Sequence, residues 1–220
     1  MTRSSEKRHG PGRAIPRSLF VGCLCLATSG VANEDSFSND FEADSFDPFW
    51  TISEAFGTVG LSADQAHSGA QSAAFTTGEG GFRDISLAHQ FDTPVHGTFS
   101  VWLYDSAPGI MTSDARLFLT NTADPTARTF IGPLDYDSDV YYIQGPGLPE
   151  SATDVQRTLG WHLLVIVTDS SGGQLLLDGA ELYSWSGDFA FDKVQLRVNG
   201  PAATDASTYY FDDFSFEQGN

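Results

Sequence analysis

The 220-residue sequence is acidic, because 29 Asp and Glu residues against 11 Lys and Arg residues give a formal net charge of −18 at pH 7. A field of this sign repels nucleic acid and anionic lipid, which argues against both as partners. The 17 Phe, 7 Tyr and 4 Trp residues supply ample apolar area for a folded core, which argues against a disordered chain.

The first 32 residues predict a cleaved signal peptide. A basic segment runs into the apolar stretch 19–27, which is far shorter than the roughly 20 apolar residues that cross a bilayer. Small residues follow it, and cleavage after Ala32 fits the small-residue pattern that signal peptidase reads. The protein is therefore expected to be secreted, to the periplasm or the extracellular space, without membrane insertion. A rival interpretation makes Cys23 a lipidated cysteine.

Residues 33–220 are expected to form a single domain. They keep six basic and 28 acidic residues and no cysteine, so their net charge is −22. Without disulfides, a hydrophobic core or a bound metal must stabilise the fold. A chain of this length suffices for one sizeable core, and no linker divides it. Its oligomeric state does not follow from the sequence.

Short apolar or alternating runs, bounded by Gly, Pro, Asp and Ser, recur along residues 33–220, whereas apolar residues at helical spacing are almost absent. About a dozen strands favour an all-β, two-sheet antiparallel sandwich over a small barrel. The Asp178–Gly179 pair predicts a type I′ hairpin within a meander from Trp161 to Ser184. The predicted strands are Phe49–Gly57, Gln71–Thr77, Asp84–Phe91, Thr98–Asp105, Ala115–Thr120, Arg128–Ile131, Val140–Gln144, Trp161–Asp169, Gln174–Asp178, Lys193–Asn199 and Thr208–Phe216.

Alternation within two of these strands predicts a surface for sugars. Flat aromatic rings stack on the apolar faces of sugars, and planar polar side chains bond their hydroxyls. Strands Thr98–Asp105 and Lys193–Asn199 each turn one set of such side chains away from the core. The predicted carbohydrate-binding residues are Trp102, Tyr104, Arg116, Tyr142, Gln195, Arg197 and Asn199. The alternative is that a loop covers the two rings and that Arg197 pairs with a nearby acid.

Three parts of the sequence carry a family resemblance. The segment Gly160–Asp169 and the following Gln174–Gly179 resemble the W-H hairpin of concanavalin A-like and laminin G-like domains. The closing Tyr209–Phe216 and the opening segments Asn39–Glu42 and His67–Ser72 resemble those of jelly-roll carbohydrate-binding modules. The resemblance implies a jelly-roll sandwich and a polysaccharide or glycan partner.

The same resemblance implies a structural calcium, because modules of this type often hold one between the opening and closing strands. Carried over to this sequence, the ligands would be Asp40, Glu42 and Asp213. Calcium takes hard oxygen ligands, and neighbouring acids repel each other without a cation. The alternative is that these are exposed acids at strand edges.

No complete catalytic motif is present, so no catalytic residue is predicted. Laminarinase-type enzymes of the concanavalin A-like fold use E-x-D-x-x-E on one strand, which Glu42, Asp44 and Asp47 imitate with Asp in the last position. His162 is expected to pack or to form a hydrogen bond at its hairpin. The leading hypothesis is a secreted, non-catalytic carbohydrate-binding module. A polysaccharide-degrading enzyme and an adhesive extracellular protein are the alternatives.

Overall fold

The computed structural model describes residues 36–106, 113–135, 137–202 and 206–219, without the side chains of Pro125, Asp137 and Ser138. The predicted signal peptide, its cleavage site and Cys23 lie outside the described residues. Within the described ranges the regular elements are all strands, and none is a helix long and apolar enough to cross a membrane.

The described residues form fifteen strands in two antiparallel sheets, which confirms the predicted sandwich. Their bounds are β1 Ser36–Asn39, β2 Thr51–Ala55, β3 Gly57–Ser62, β4 Ser72–Thr77, β5 Arg83–Val95, β6 Gly97–Asp105, β7 Asp114–Asn121, β8 Asp124–Leu134, β9 Asp137–Gly145, β10 Leu148–Gln156, β11 Gly160–Asp169, β12 Gly172–Leu177, β13 Ala180–Ser186, β14 Phe191–Gly200 and β15 Thr208–Gln218.

The eight-stranded sheet has the order β13-β12-β11-β6-β15-β4-β3, and β1 also pairs with β15. The seven-stranded sheet has the order β10-β9-β8-β7-β14-β5-β2. Strands β6 and β7 follow each other in the chain but lie in different sheets. The chain therefore changes sheet between Asp105 and Asp114, and this change decides which outer face each predicted site residue reaches.

The core lies between the sheets and is filled by alternate residues of the central strands. On β6, Phe99 and Leu103 face inward, and on β14 Val194 and Leu196 do so, all four with at most 1% exposure. Burying a side chain of this size stabilises the folded state by roughly 1.5–3 kcal/mol. The intervening residues therefore point to the two outer faces.

Two expectations about local structure meet different outcomes. At the predicted hairpin turn, Asp178 and Gly179 have φ values of 50° and 80°, and Leu177 pairs with Ala180 across them. This confirms a two-residue turn with positive φ at both positions. The predicted strand Val140–Gln144 lies within the longer β9, and the structure adds β10, which was not predicted and forms a hairpin with β9.

Candidate functional site

The outer side of the seven-stranded sheet gathers polar and basic side chains. On β7, Leu117 and Leu119 enter the core, so Arg116 and Phe118 point outward. The same alternation on β14 turns Gln195 and Arg197 outward. We call this surface the arginine face, and its residues are Asp84, Ser86, Asp114, Arg116, Phe118, Arg128, Phe130, Tyr142, Lys193, Gln195, Arg197 and Asn199.

Two arginines lie directly opposite each other on the arginine face, Arg197 on β14 and Arg116 on β7. Like charges in this position destabilise a sheet unless other groups compensate. Arg197 binds both carboxylate oxygens of Asp84, at 2.8 and 3.0 Å, and Arg116 lies 2.9 Å from Asp114. Arg116 also donates to the amide oxygen of Asn199. These partners hold both guanidinium planes in fixed orientations.

Aromatic rings form the floor beneath the arginines. The Arg116 guanidinium carbon lies 4.7 Å from the centroid of Phe130, and that of Arg197 lies 5.6 Å from Phe118. Tyr142 joins the same buried cluster. Arg116 and Asn199 are buried with this floor, whereas Gln195 and Arg197 are only partly buried above it. The face therefore combines a closed aromatic floor with accessible planar hydrogen-bonding groups.

Burial changes the protonation equilibria of this face. It raises the pKa of the Asp114 carboxyl to about 6, although the Arg116 charge and the backbone N–H of Asp135 act in the opposite direction. Burial also lowers the pKa of the Arg116 guanidinium, and the nearby charges of Arg197 and Arg128 lower it further, against the opposing effect of Asp114. Asp114 therefore titrates close to neutral pH.

The structure splits the predicted binding residues between two faces. Arg116, Tyr142, Gln195, Arg197 and Asn199 lie together on the arginine face. The expectation that Trp102 and Tyr104 share this face is wrong, because β6 belongs to the other sheet. The sequence predicts which alternate residues of each strand point away from the core, but it does not predict which of the two sheets each strand joins.

Trp102 and Tyr104 belong instead to an aromatic patch on the outer side of the eight-stranded sheet, which we define as His67, Trp102, Tyr104, Trp161 and Tyr210. The rings of Tyr104 and Trp161 are 5.4 Å apart and those of Tyr104 and Tyr210 are 6.2 Å apart, both edge to face. His67 stacks on Trp102 at 3.8 Å with 14° between the planes. One face of Trp102 is therefore occupied by another ring.

The loop that carries His67 is held by two consecutive acids of β15. The buried carboxylate of Asp212 accepts the backbone N–H groups of His67 and Ser68, at 2.8 and 3.2 Å. Asp213 lies at a register shift of β15, with φ of 47°, and bonds the His67 ring at 2.6 Å and the Ser68 hydroxyl at 2.8 Å. The acids of the closing segment thus fasten a loop over the aromatic patch.

The three predicted calcium ligands are engaged with protein donors. Glu42 accepts the N–H groups of Ala70 and Gln71, both at 2.9 Å, and Asp40 accepts the N–H of Glu42 at 3.2 Å. Both oxygens of Asp213 are bonded by the loop described above. In the part of the chain that the structure describes, no three His, Cys, Asp or Glu residues come together as a metal-binding group.

The acids that imitate a glycosidase motif do not lie on a strand. Glu42, Asp44 and Asp47 fall in the irregular connection between β1 and β2, where Asp47 bonds the backbone N–H of Phe49 at 2.8 Å. Strand alternation therefore does not turn them to one face. His162 bonds Asp178 at 2.7 Å and the carbonyl oxygen of Thr158 at 2.9 Å, so it joins the hairpin turn to the start of β11.

Sequence reasoning missed several members of the arginine face, above all Asp84, Asp114, Arg128 and Lys193. Asp114 immediately precedes the predicted strand Ala115–Thr120, and its alternation with Arg116 was the available signal. Lys193 was assigned to a strand but not to a site. Asp84 carried no signal, because its role depends on the pairing of β5 with β14.

No protein-family model matches the sequence, and no curated protein matches it significantly. Solved structures do match. A Crh5 transglycosylase gives a TM-score of 0.62 at 17% identity, over 84% of this chain and 85% of its own. The cellulose-induced protein Cip1 gives 0.60 at 19% identity, over 82% and 96%.

The catalytic domain of an endo-1,3-β-glucanase (laminarinase) from Thermotoga petrophila gives a TM-score of 0.56 at 14% identity, over 84% of this chain and 97% of its own. At these identities the likeness concerns the fold. The protein has the concanavalin A-like jelly-roll fold.

Proposed function

We propose that the protein binds a glycan on the arginine face and does not cleave it. The observation that carries the proposal is the row of oriented polar side chains, Arg116, Arg197 and Gln195, above the Phe118 and Phe130 rings. Sugars present hydroxyls that bond planar donors and acceptors, and fixed side chains lose little conformational entropy when they bind.

The solved structures of similar fold support a carbohydrate ligand. They include a transglycosylase, also in complex with NAG, and β-glucanases. A shared fold does not assign a function, because unrelated activities use the same scaffold. The weight of the proposal therefore rests on the arginine face itself.

The carboxylates that pair with the two arginines favour binding over cleavage. Asp84 is held in two bonds by Arg197, and Asp114 accepts from Asp135 at 2.9 Å, lies 2.9 Å from Arg116 and accepts from Asn199 at 3.3 Å. A general acid or base must exchange its proton with the substrate, which these fixed contacts obstruct.

A polysaccharide-degrading enzyme is the second candidate, because the Asp114 carboxyl has a pKa of about 6. General acid–base groups are most effective when their pKa lies near the working pH. The test is the release of reducing ends from β-1,3-glucan, chitin oligosaccharides and alginate. If reducing ends are released by the wild type but not by Asp114→Asn, the protein is an enzyme and the proposal of binding without cleavage is wrong. If none of the substrates releases reducing ends, the result supports the binding function.

We further propose that the protein is exported by its predicted signal peptide and that its folded domain takes up calcium near Asp40, Glu42 and Asp213. Calcium would have to replace the protein donors that now bond these carboxylates. The unfolding temperature is measured once with about 5 mM calcium and once with a chelator, and it is expected to be higher with calcium. Equal temperatures under both conditions would remove calcium from the proposal.

The binding face is tested with the double variant Gln195→Ala/Arg197→Met, which removes two accessible polar groups and keeps most of the apolar stem of Arg197. Its affinity for the best ligand of a soluble polysaccharide panel is expected to fall about tenfold or more. Tyr104→Ala, on the opposite face, is the matched control and is expected to bind normally. Equal affinity of the double variant and the wild type in calorimetry would place the ligand elsewhere.

A further inference from the structure

The basic residues of the domain are distributed very unevenly. From residue 33 onward there are only six, against 28 acids. Arg83 and Arg157 are buried, with Arg157 bonded to Asp105 at 2.6 Å inside the sandwich and Arg83 bonded to the Pro201 carbonyl. The other four, Arg116, Arg128, Lys193 and Arg197, all lie on the arginine face.

Two of these four cations have no opposing charge among the residues that the structure describes. Arg128 is exposed and Lys193 is partly buried, and among the described residues neither comes within 4.0 Å of a carboxylate. Thr120 of β7 lies between them, paired with Arg128 on one side and Lys193 on the other. Two strand spacings separate them, so their backbones are about 10 Å apart.

The two ends of the arginine face therefore differ in charge. At one end Arg116 and Arg197 are neutralised by Asp114 and Asp84, and Glu150 lies 3.9 Å from Arg116. At the other end, beside the Phe118 and Phe130 rings, Arg128 and Lys193 have no carboxylate partner in the described part of the chain. Positive charges in proximity repel each other, and an acidic chain had many carboxylates with which to neutralise them. Their collection at one place thus needs an explanation other than folding stability.

We propose that the glycan is anionic and that Arg128 and Lys193 bind its carboxylate or sulfate groups. The inference rests on the proposed function. It adds the chemical class of the ligand and the end of the arginine face at which its charged groups bind. A polysaccharide chain that crosses the strands meets both cations, while its sugar rings contact Gln195 and Arg197. At the Asp84–Asp114 end the arginines are already paired with carboxylates and Glu150 adds a further negative charge, so the charged groups bind at the Arg128–Lys193 end. Residues 33–220 as a whole carry a net charge of −22, and this acidic surface disfavours attachment at any other place.

The experiment compares the wild type with Arg128→Gln/Lys193→Gln in affinity electrophoresis and calorimetry. The probes are alginate as the carboxylated glycan, carrageenan as the sulfated one, an uncharged β-1,3-glucan, and double-stranded DNA as an unrelated polyanion. We expect the wild type to bind an anionic glycan and the double variant to bind it about tenfold more weakly, as loss of two exposed ion pairs predicts. Raising the salt from 0.05 to about 0.5 M is expected to weaken the wild type and to affect the variant less.

The matched control is the exchange variant Arg128→Lys/Lys193→Arg, which keeps both charges and is expected to bind within about threefold of the wild type. Unfolding temperatures establish that all three proteins are folded. The contrast between alginate and carrageenan decides whether carboxylate or sulfate is recognised.

Each remaining outcome separates the two proposals. Binding of the β-1,3-glucan alone, or anionic binding that the Gln variant retains, would overturn the anionic ligand and leave the proposed function intact. DNA bound as tightly as the glycans would show unspecific attraction of polyanions and would overturn the ligand class. Failure to bind any polysaccharide would remove the proposed function itself.

Discussion

The two outer faces of the sandwich differ in what already occupies their side chains. On the aromatic patch, His67 lies against the ring of Trp102, and the remaining rings touch one another edge to face. On the arginine face, the rings are buried as a floor and the accessible groups are polar. The side chains of the aromatic patch are largely occupied by contacts with one another, whereas the arginine face keeps hydrogen-bonding and charged groups available to a ligand.

The difference teaches that aromatic residues on an outer strand face are not sufficient evidence for a sugar site. A ring contributes to binding only when its face is open to the ligand, and the Trp102 face is covered by a loop that two acids hold in place. The polar groups of the arginine face are ordered by partners beside them instead of above them. The following substitutions test this difference between the two outer faces.

The largest effect is expected for Asp212→Ala, which releases the loop from the aromatic patch. The substitution leaves the backbone N–H groups of His67 and Ser68 without their acceptor, and the expected loss of unfolding free energy is about 2–4 kcal/mol. Urea denaturation measures it. Glycan affinity is expected to stay unchanged, and Asp212→Asn, which keeps one acceptor oxygen, should lose less stability. A stable variant with weakened glycan binding would contradict the assignment of the two faces.

A smaller effect is expected in the pH dependence of stability that Asp114 produces on the arginine face. Its folded pKa of about 6 lies above the ordinary value of 3.8, so the folded state binds the proton more tightly than the unfolded state does. The resulting stabilisation is complete below pH 3.8 and is lost as the pH rises through 6. Over this range it amounts to about 3 kcal/mol, since one unit corresponds to 1.36 kcal/mol.

Asp114→Asn removes this titration and keeps every other titrating side chain, of which Asp135 is the one coupled to Asp114 through a hydrogen bond. The free energy of unfolding of the wild type is expected to fall relative to that of the variant between pH 4 and about 7. Any constant offset between the two proteins, for example from the altered contact with Arg116, does not affect this slope. Parallel profiles would show that Asp114 has an ordinary pKa.

The smallest effect on stability is expected for Trp102→Ala. Because His67 covers one face of the ring, glycan affinity should remain within about twofold of the wild type, while stability falls by about 1–2 kcal/mol through lost apolar contact. Titration calorimetry and thermal unfolding measure the two quantities. Loss of binding would place the sugar on the aromatic patch, as the sequence pattern first indicated.

The sequence predicted those parts of the fold that depend on neighbouring residues. Alternation along Lys193–Asn199 identified the outward side chains of β14, and the Asp178–Gly179 pair identified a hairpin turn, since both signals are local. Strand β10 was missed because its residues Leu148–Gln156 are mostly polar and none of them is fully buried, so its hydrogen bonds to β9 define it.

The candidate site was predicted only in part, because sheet membership is not a local property. Alternation predicts that Trp102 and Gln195 point away from the core, but a sandwich has two outer faces, one on each sheet. Only the pairing of β6 with β11 and β15, and of β14 with β5 and β7, decides which side each reaches. Arg128 and Lys193 come together through the same long-range pairing, 65 positions apart in the sequence.

The position of β15 has a consequence for how the chain reaches this structure. Thr208–Gln218 is inserted between β6 and β4 in the middle of the eight-stranded sheet, so that sheet stays in two halves until these late residues arrive. Pairings between distant segments form slowly. During synthesis, the inward-facing rings of Phe75 and Phe99 cannot make their contacts with Phe211 and Phe216 until β15 has been synthesised. The growing chain therefore exposes unpaired strand edges and aromatic surface for longer than a protein of local contacts, and it depends on protection from aggregation until its last strand is in place.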